Sequence, residues 1–186
     1  TGLLLSTLTM QKLMMNKGLA GNISSDLLER IESDVLAENP DLVLLMVGTN
    51  DMLNSMKMTS YAEYSSRLTE IVRSLKKSKI ELLLLSPPTV DSAYLFERHD
   101  RSLFREGPNQ KLDSISRIME HVSIREEVGF LDINKCFRVL HLPEHNLDSY
   151  IQNEKNSGKR DGVHLTAYGN SFLARMILDY FAHKKN

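Results

Sequence analysis

An unbroken apolar run, Leu42–Val47, and a second run, Ile80–Leu85, interrupted only by Glu81, constrain this chain more than anything else in it. Each has the length of a strand, and neither alternates apolar with polar residues. A strand that is apolar at every position must be covered on both faces, which is the habit of parallel sheets. Between the two runs, Tyr64, Leu68, Ile71, Val72 and Leu75 recur at helical spacing, predicting a helix from about Ser60 to Lys77. The pattern repeats: a helix through Leu112, Ile115, Ile118, Met119 and Val122 leads to a strand over Val128–Ile133. Strands alternating with helices predict an α/β fold with a mostly parallel sheet and helices on both faces.

The remainder of the chain fits that frame. Leu3–Leu8 reads as a short helix and Lys12–Met15 as a short strand entering the Asn16–Asn22 loop. Ser24 or Ser25 is placed to cap a helix carrying Leu27, Leu28, Ile31, Val35 and Leu36, which Asn39-Pro40 ends. Leu142–Arg160 is polar and irregular, and a last helix over about Thr166–Ala182 carries Phe172, Leu173, Met176, Ile177, Tyr180 and Phe181 on one face.

Composition removes several function classes. The 186 residues suit one domain, 1–186. With 23 basic and 24 acidic residues the formal charge is -1, so nothing in the charge balance favours a nucleic acid or an anionic membrane as partner. No apolar run approaches the ~20 residues of a membrane helix. Thr1–Leu5 has neither a basic start nor a cleavage site, so no signal peptide is expected. Cys136 is the only cysteine, which precludes an internal disulfide and leaves the compartment open.

In such a sheet, ligands bind beyond the carboxyl ends of the strands. Gly48-Thr49-Asn50-Asp51 follows the first apolar run as a loop there. An Asn50 amide aimed into the crevice, with a backbone N–H converging on the same point, makes an oxyanion hole. Gly21, in Asn16-Lys17-Gly18-Leu19-Ala20-Gly21, is the candidate N–H, because a residue without Cβ lets a carbonyl come close. Near the far end of the chain stands Asp161-Gly162-Val163-His164. An acid three residues before a histidine can fold back and take its Nδ1–H, leaving Nε2 as a general base. Each motif has a bland alternative: Gly-Thr-Asn-Asp is a good turn, glycines make turns, and an Asp before a His caps loops.

Together and in this order the three stretches resemble the SGNH (GDSL-type) hydrolases, over about Lys12–Leu178. The resemblance implies a flavodoxin-like three-layer α/β/α fold and a serine-type carboxylic ester hydrolase without metal or other cofactor. It implies Gly21 and Asn50 as oxyanion donors and Asp161 and His164 as the acid and base. The implied substrate is a short acyl ester, with acetyl on a carbohydrate favoured. The family's Gly-Asp-Ser block is not found in this chain, and the nucleophile is left unassigned. Ser6, within Leu-Leu-Leu-Ser-Thr-Leu, has neither the right flanks nor the right distance and is a weak candidate. The simplest expectation is that the chain starts after the nucleophile strand, so that the fold lacks its first strand.

The competing expectation is an SGNH-like binding protein that keeps the crevice but not the nucleophile. A nucleotide- or flavin-binding module is disfavoured because no Gly-rich phosphate loop is present. His99, His121, His141, His145 and His183 show no metal-ligand spacing and read as packing or surface residues. Met52, Met56 and Met58 could line an acyl pocket or pack the core, and Tyr94, Phe96 and Phe104 could rim a substrate or pin their own loop. Oligomeric state is not read from the sequence.

Overall fold

The computed structural model of the protein describes residues 14–142 and 145–184. The helix predicted over Leu3–Leu8, and Ser6 within it, lie outside the described residues. The strand predicted over Lys12–Met15 lies partly outside them, and Met14 and Met15 join no strand.

Three strands form the described sheet: β1 (Leu42–Leu45), β2 (Glu81–Leu85) and β3 (Gly129–Leu131). They are parallel in the order β1-β2-β3, with Leu44 level with Leu83 and Leu84 level with Phe130. The helices α1 (Ser24–Asp34), α3 (Tyr61–Lys77) and α5 (Pro108–Glu126) supply one covering layer, and the single turns α4 (Ser92–Leu95) and α7 (Glu154–Ser157) lie in connecting segments. Leu45, Val47, Leu82 and Leu84 meet them in a core with Tyr64, Leu68, Ile71, Leu112, Ile115 and Met119. On the opposite face Leu83 and Leu85 pack with Phe137 of α6 (Ile133–Arg138) and with Phe172, Met176 and Ile177 of α8 (Ala167–Lys184). The result is a three-layer α/β fold.

Local chemistry sets the boundaries. Ser60 accepts from Glu63 N while Glu63 accepts from Ser60 N, a reciprocal cap that starts α3 where the apolar spacing begins. Lys76 and Lys77 sit in its last turn, where cations favour the exposed carbonyls. Pro108 opens α5, a position where its missing N–H costs nothing. Tyr64, fully buried, donates its hydroxyl to Val47 O at 2.9 Å and so fixes the end of β1.

Four expectations need correction. Among the described residues β1 is less covered on one face than on the other: Leu44 and Met46 remain 38% and 36% exposed, against 8% for Leu45 and 6% for Val47. An all-apolar run predicts two fully covered faces; the described residues cover the Leu45–Val47 face fully and the Leu44–Met46 face only in part. The cap of α1 is Ile23 rather than a serine; Asp26 accepts Ile23 N, and Ser24 is already helical. The Gly48–Asp51 stretch is not a loop but the start of a short helix, α2 (Thr49–Leu53). Finally, the strand expected over Val128–Ile133 is shorter, Gly129–Leu131, and Ile133 instead begins α6, whose six residues are too few to show a helical period. Among the described residues no helix is long and apolar enough to cross a membrane.

Candidate active site

Because β1 and β2 are adjacent and parallel, the segments that follow them emerge at one edge of the sheet. Asn50 lies in α2, directly after β1. The Asp161–His164 loop is stitched to the segment after β2, with Asp91 N donating to Gly162 O at 2.8 Å. Gly162 N in turn donates to Gln152 O, and Gln152 N to His164 O, both at 2.8 Å. The structure thus brings Asn50, Asp161 and His164 to the same carboxyl edge.

The loop is tight for a physical reason. Gly162 has φ +74°, and a Cβ there would lie 2.7 Å from Asp91 O and 2.8 Å from Tyr94 Cβ. Only glycine fits both the conformation and the space. The turn folds Asp161 back on His164. Asp161 Oδ2 lies 2.8 Å from His164 Nδ1, and Oδ1 accepts Val163 N and His164 N at 2.8 and 2.7 Å. An ionised carboxylate can only accept, so the Nδ1 position carries the proton and Nε2 is left with its lone pair. Burial pushes the Asp161 carboxyl up, but the backbone donors of His164 and Val163, and then the imidazole, outweigh it and hold the group below its usual range. The Asp161 side chain is 11% exposed and that of His164 65%, so the acid is sheltered and the base is open.

The oxyanion candidates sit on the other side of the edge. Asn50 Nδ2 donates one proton to Asn22 O at 3.0 Å, which orients the amide and leaves its second N–H unspent. Gly21 is exposed with φ +77°, and its N–H meets no acceptor among the described residues. Beneath them the buried Asp51 takes Ser24 N at 3.0 and 3.1 Å and Ser24 Oγ at 2.5 Å.

Several long-range partners escaped sequence reasoning. Arg98 donates to Asp161 O at 2.7 Å and holds the turn from outside. The neighbouring His99 shares a hydrogen bond with Ser55 at 3.0 Å, and burial, helped by Arg98, lowers its pKa. His141 Nε2 lies 2.8 Å from the buried Thr89 hydroxyl. Both histidines are structural ties, in keeping with a packing role. Met52 is in the core and Met56 is 89% exposed. Phe96 packs edge-on against Phe104, with Arg101 over its ring, pinning that segment to itself.

An open depression of about 430 Å³ adjoins the base, lined by Gln152, Lys159, Asp161, His164, Leu165 and Asn170. A larger groove of about 720 Å³ follows the outer face of α3 past Ser66, Thr69, Arg73 and Arg125, away from the histidine. The serines nearest the carboxyl edge are engaged: Ser24 with Asp51, Ser55 with His99, and Ser86 with Asp132 at 2.9 Å. Among the described residues no serine is bonded to His164, and no group of three His, Cys, Asp or Glu side chains is arranged to hold a metal.

The profile of the GDSL-like lipase/acylhydrolase family matches residues 4–172. The chain belongs to that family. A relative, an acetylxylan esterase of Geobacillus stearothermophilus, is 26% identical over 131 residues, 67% of this chain and 55% of that protein. The match therefore spans little more than half of that relative's length. The crystal structure of the acetyl xylan esterase AlAXEase superposes with a TM-score of 0.73 at 27% identity, covering 96% of this chain and 86% of the other. The crystal structure of a lipase/acylhydrolase from Enterococcus faecalis shares the fold, with a TM-score of 0.68 at 22% identity over 88% of this chain and 72% of its own.

Proposed function

We propose that the protein is a serine-type carboxylic ester hydrolase for short acyl esters, and that its substrate is an acetylated carbohydrate. The observation that carries this reading is the Asp161–His164 pair, bonded at 2.8 Å with Nε2 open, at the edge that also holds Asn50. Family membership supports the reaction class, and the two acetylxylan esterases support the acetyl–sugar substrate. In the Geobacillus enzyme, structures described as catalytic mutants alter a serine, an aspartate and a histidine three positions after that aspartate. The same spacing separates Asp161 from His164.

In this reading a serine hydroxyl attacks the ester carbonyl and passes its proton to His164 Nε2. Asp161 holds the ring and stabilises the imidazolium. The oxyanion of the tetrahedral intermediate accepts from Gly21 N–H and from the unspent N–H of Asn50. Collapse breaks the C–O bond, and His164 returns the proton to the departing sugar hydroxyl. Water, deprotonated by His164, then attacks the acyl-enzyme and releases acetate and the free serine.

The serine itself is not assigned, and a fluorophosphonate probe followed by peptide mapping names it. A single labelled serine whose labelling depends on His164 supports the hydrolase. The second reading, an SGNH-like binding protein without a nucleophile, is favoured by the engagement of Ser24, Ser55 and Ser86 elsewhere; it predicts no label at all.

A further inference from the structure

We infer that Asp51 is the positioning residue of the oxyanion hole, clamping the Gly21–Ser24 segment against the helix that carries Asn50. This rests on the reading of Gly21 and Asn50 as oxyanion donors. The two donors come from segments nearly thirty residues apart in sequence, since Asn50 and Asn22 are separated by 28 positions. Something must set their relative placement, because an oxyanion hole works only when both N–H groups point at one site.

The contacts across that junction come from a few residues, and Asp51 lies at their centre. Its carboxylate is fully buried, and both oxygens accept Ser24 N, with the Ser24 hydroxyl adding a third bond at 2.5 Å. Ser24 lies two residues from Asn22, whose carbonyl in turn accepts Asn50 Nδ2. Asn50 and Asp51 therefore grip the same short segment from consecutive positions, one with an amide donor and one with a carboxylate acceptor. Lys57 adds an outer contact, reaching Asp26 at 2.9 Å and Gly21 O at 3.5 Å.

A carboxylate is a costly choice for this place if packing were its only purpose. Among the described residues no cation is bonded to Asp51, and burial pushes its pKa up even against the Ser24 donors and the nearby charge of Arg67. An apolar side chain would fill the space without that desolvation cost. What an apolar residue lacks is an acceptor for Ser24 N and Oγ, so the carboxylate fixes direction where packing alone would not.

The test compares Asp51→Asn and Ser24→Ala with Asn50→Ala in the full chain, by amide hydrogen exchange and by kcat and KM on p-nitrophenyl acetate. The clamp predicts faster exchange at Asn22 and Ser24 in Asp51→Asn, while Leu83 in β2 and Met119 in α5 keep their protection. It also predicts a kcat lower by about 10–100-fold with little change in KM, set against the ~10²–10³ lost with one oxyanion donor. Ser24→Ala, which deletes only the hydroxyl bond, should show the same pattern more weakly. Unchanged exchange at Asn22 and Ser24, or protection lost equally at Leu83 and Met119, would overturn the clamp. If Asn50→Ala keeps full activity while Asp51→Asn loosens the segment, the oxyanion reading fails and the clamp stands.

Discussion

Ser55 and His99 meet at 3.0 Å, joining the end of the Asn50 helix to the segment that follows β2. The next residue back, Arg98, bonds the carbonyl of Asp161. One short bridge therefore braces the two halves of the candidate site against each other. A partly buried imidazole suits this task, since its ring is rigid and reaches across a gap that a shorter polar side chain would leave open.

His99→Ala should loosen this brace in a pH-dependent way. Burial lowers the His99 pKa in the folded protein below its unfolded value. The contribution of His99 is then complete above the ordinary ~6.5 and fades as pH falls through the lowered folded value. Thermal unfolding at pH 8 and pH 5 checks this: the substitution should cost more in Tm at pH 8. A larger cost at pH 5 would give the wrong sign.

Gly162→Ala should be among the most damaging single changes. It forces a side chain into φ +74° and drives Cβ to 2.7 Å from Asp91 O. The backbone strain alone is worth about 1–3 kcal/mol, and the contact with Asp91 adds to it. Chemical denaturation should register the loss, and hydrolysis should fall further than stability does, because the turn sets the Asp161–His164 distance.

Arg98→Ala should weaken hydrolysis without abolishing it. The guanidinium bonds the Asp161 carbonyl, leaving the carboxylate with its own three donors. A loss of about tenfold in kcat, from one charge-assisted hydrogen bond to the turn, is the expected size. Steady-state kinetics beside Asp161→Asn ranks the two, with Asp161→Asn losing up to about 10⁴.

The parts of the site legible in the sequence are those held within a few residues. Asp161 and His164 are three apart with a glycine between, so their meeting follows from one turn. The parallel sense of β1, β2 and β3 was legible because largely apolar strands separated by amphipathic helices have few other solutions. The ties that hold the site were not. Ser24–Asp51, Ser55–His99 and Arg98–Asp161 are 27, 44 and 63 positions apart, and no local pattern links such pairs. The short helices over Asn50 and Ile133 were missed because five and six residues are too few to show a helical period. The partial exposure of Leu44 and Met46 among the described residues was not legible because a run of apolar residues reports what a strand can bury, not which neighbours it has.

Asp161 offers a second check on the geometry through stability alone. Its carboxyl is held below its usual range in the folded protein. Its contribution is therefore present above the ordinary ~3.9 and lost as pH falls through the lowered folded value. The gap in Tm between the protein and Asp161→Asn should be wide at pH 7 and should close in strong acid. A gap independent of pH would mean that the carboxylate is not held as described.

The most direct test of the account is acetate release from acetylated xylo-oligosaccharides by the protein and by His164→Ala. If His164 is the general base of an ester hydrolase, the protein releases acetate and His164→Ala loses at least about 10³-fold in kcat while remaining folded. No acetate release by the protein, or equal rates for the two, would contradict it.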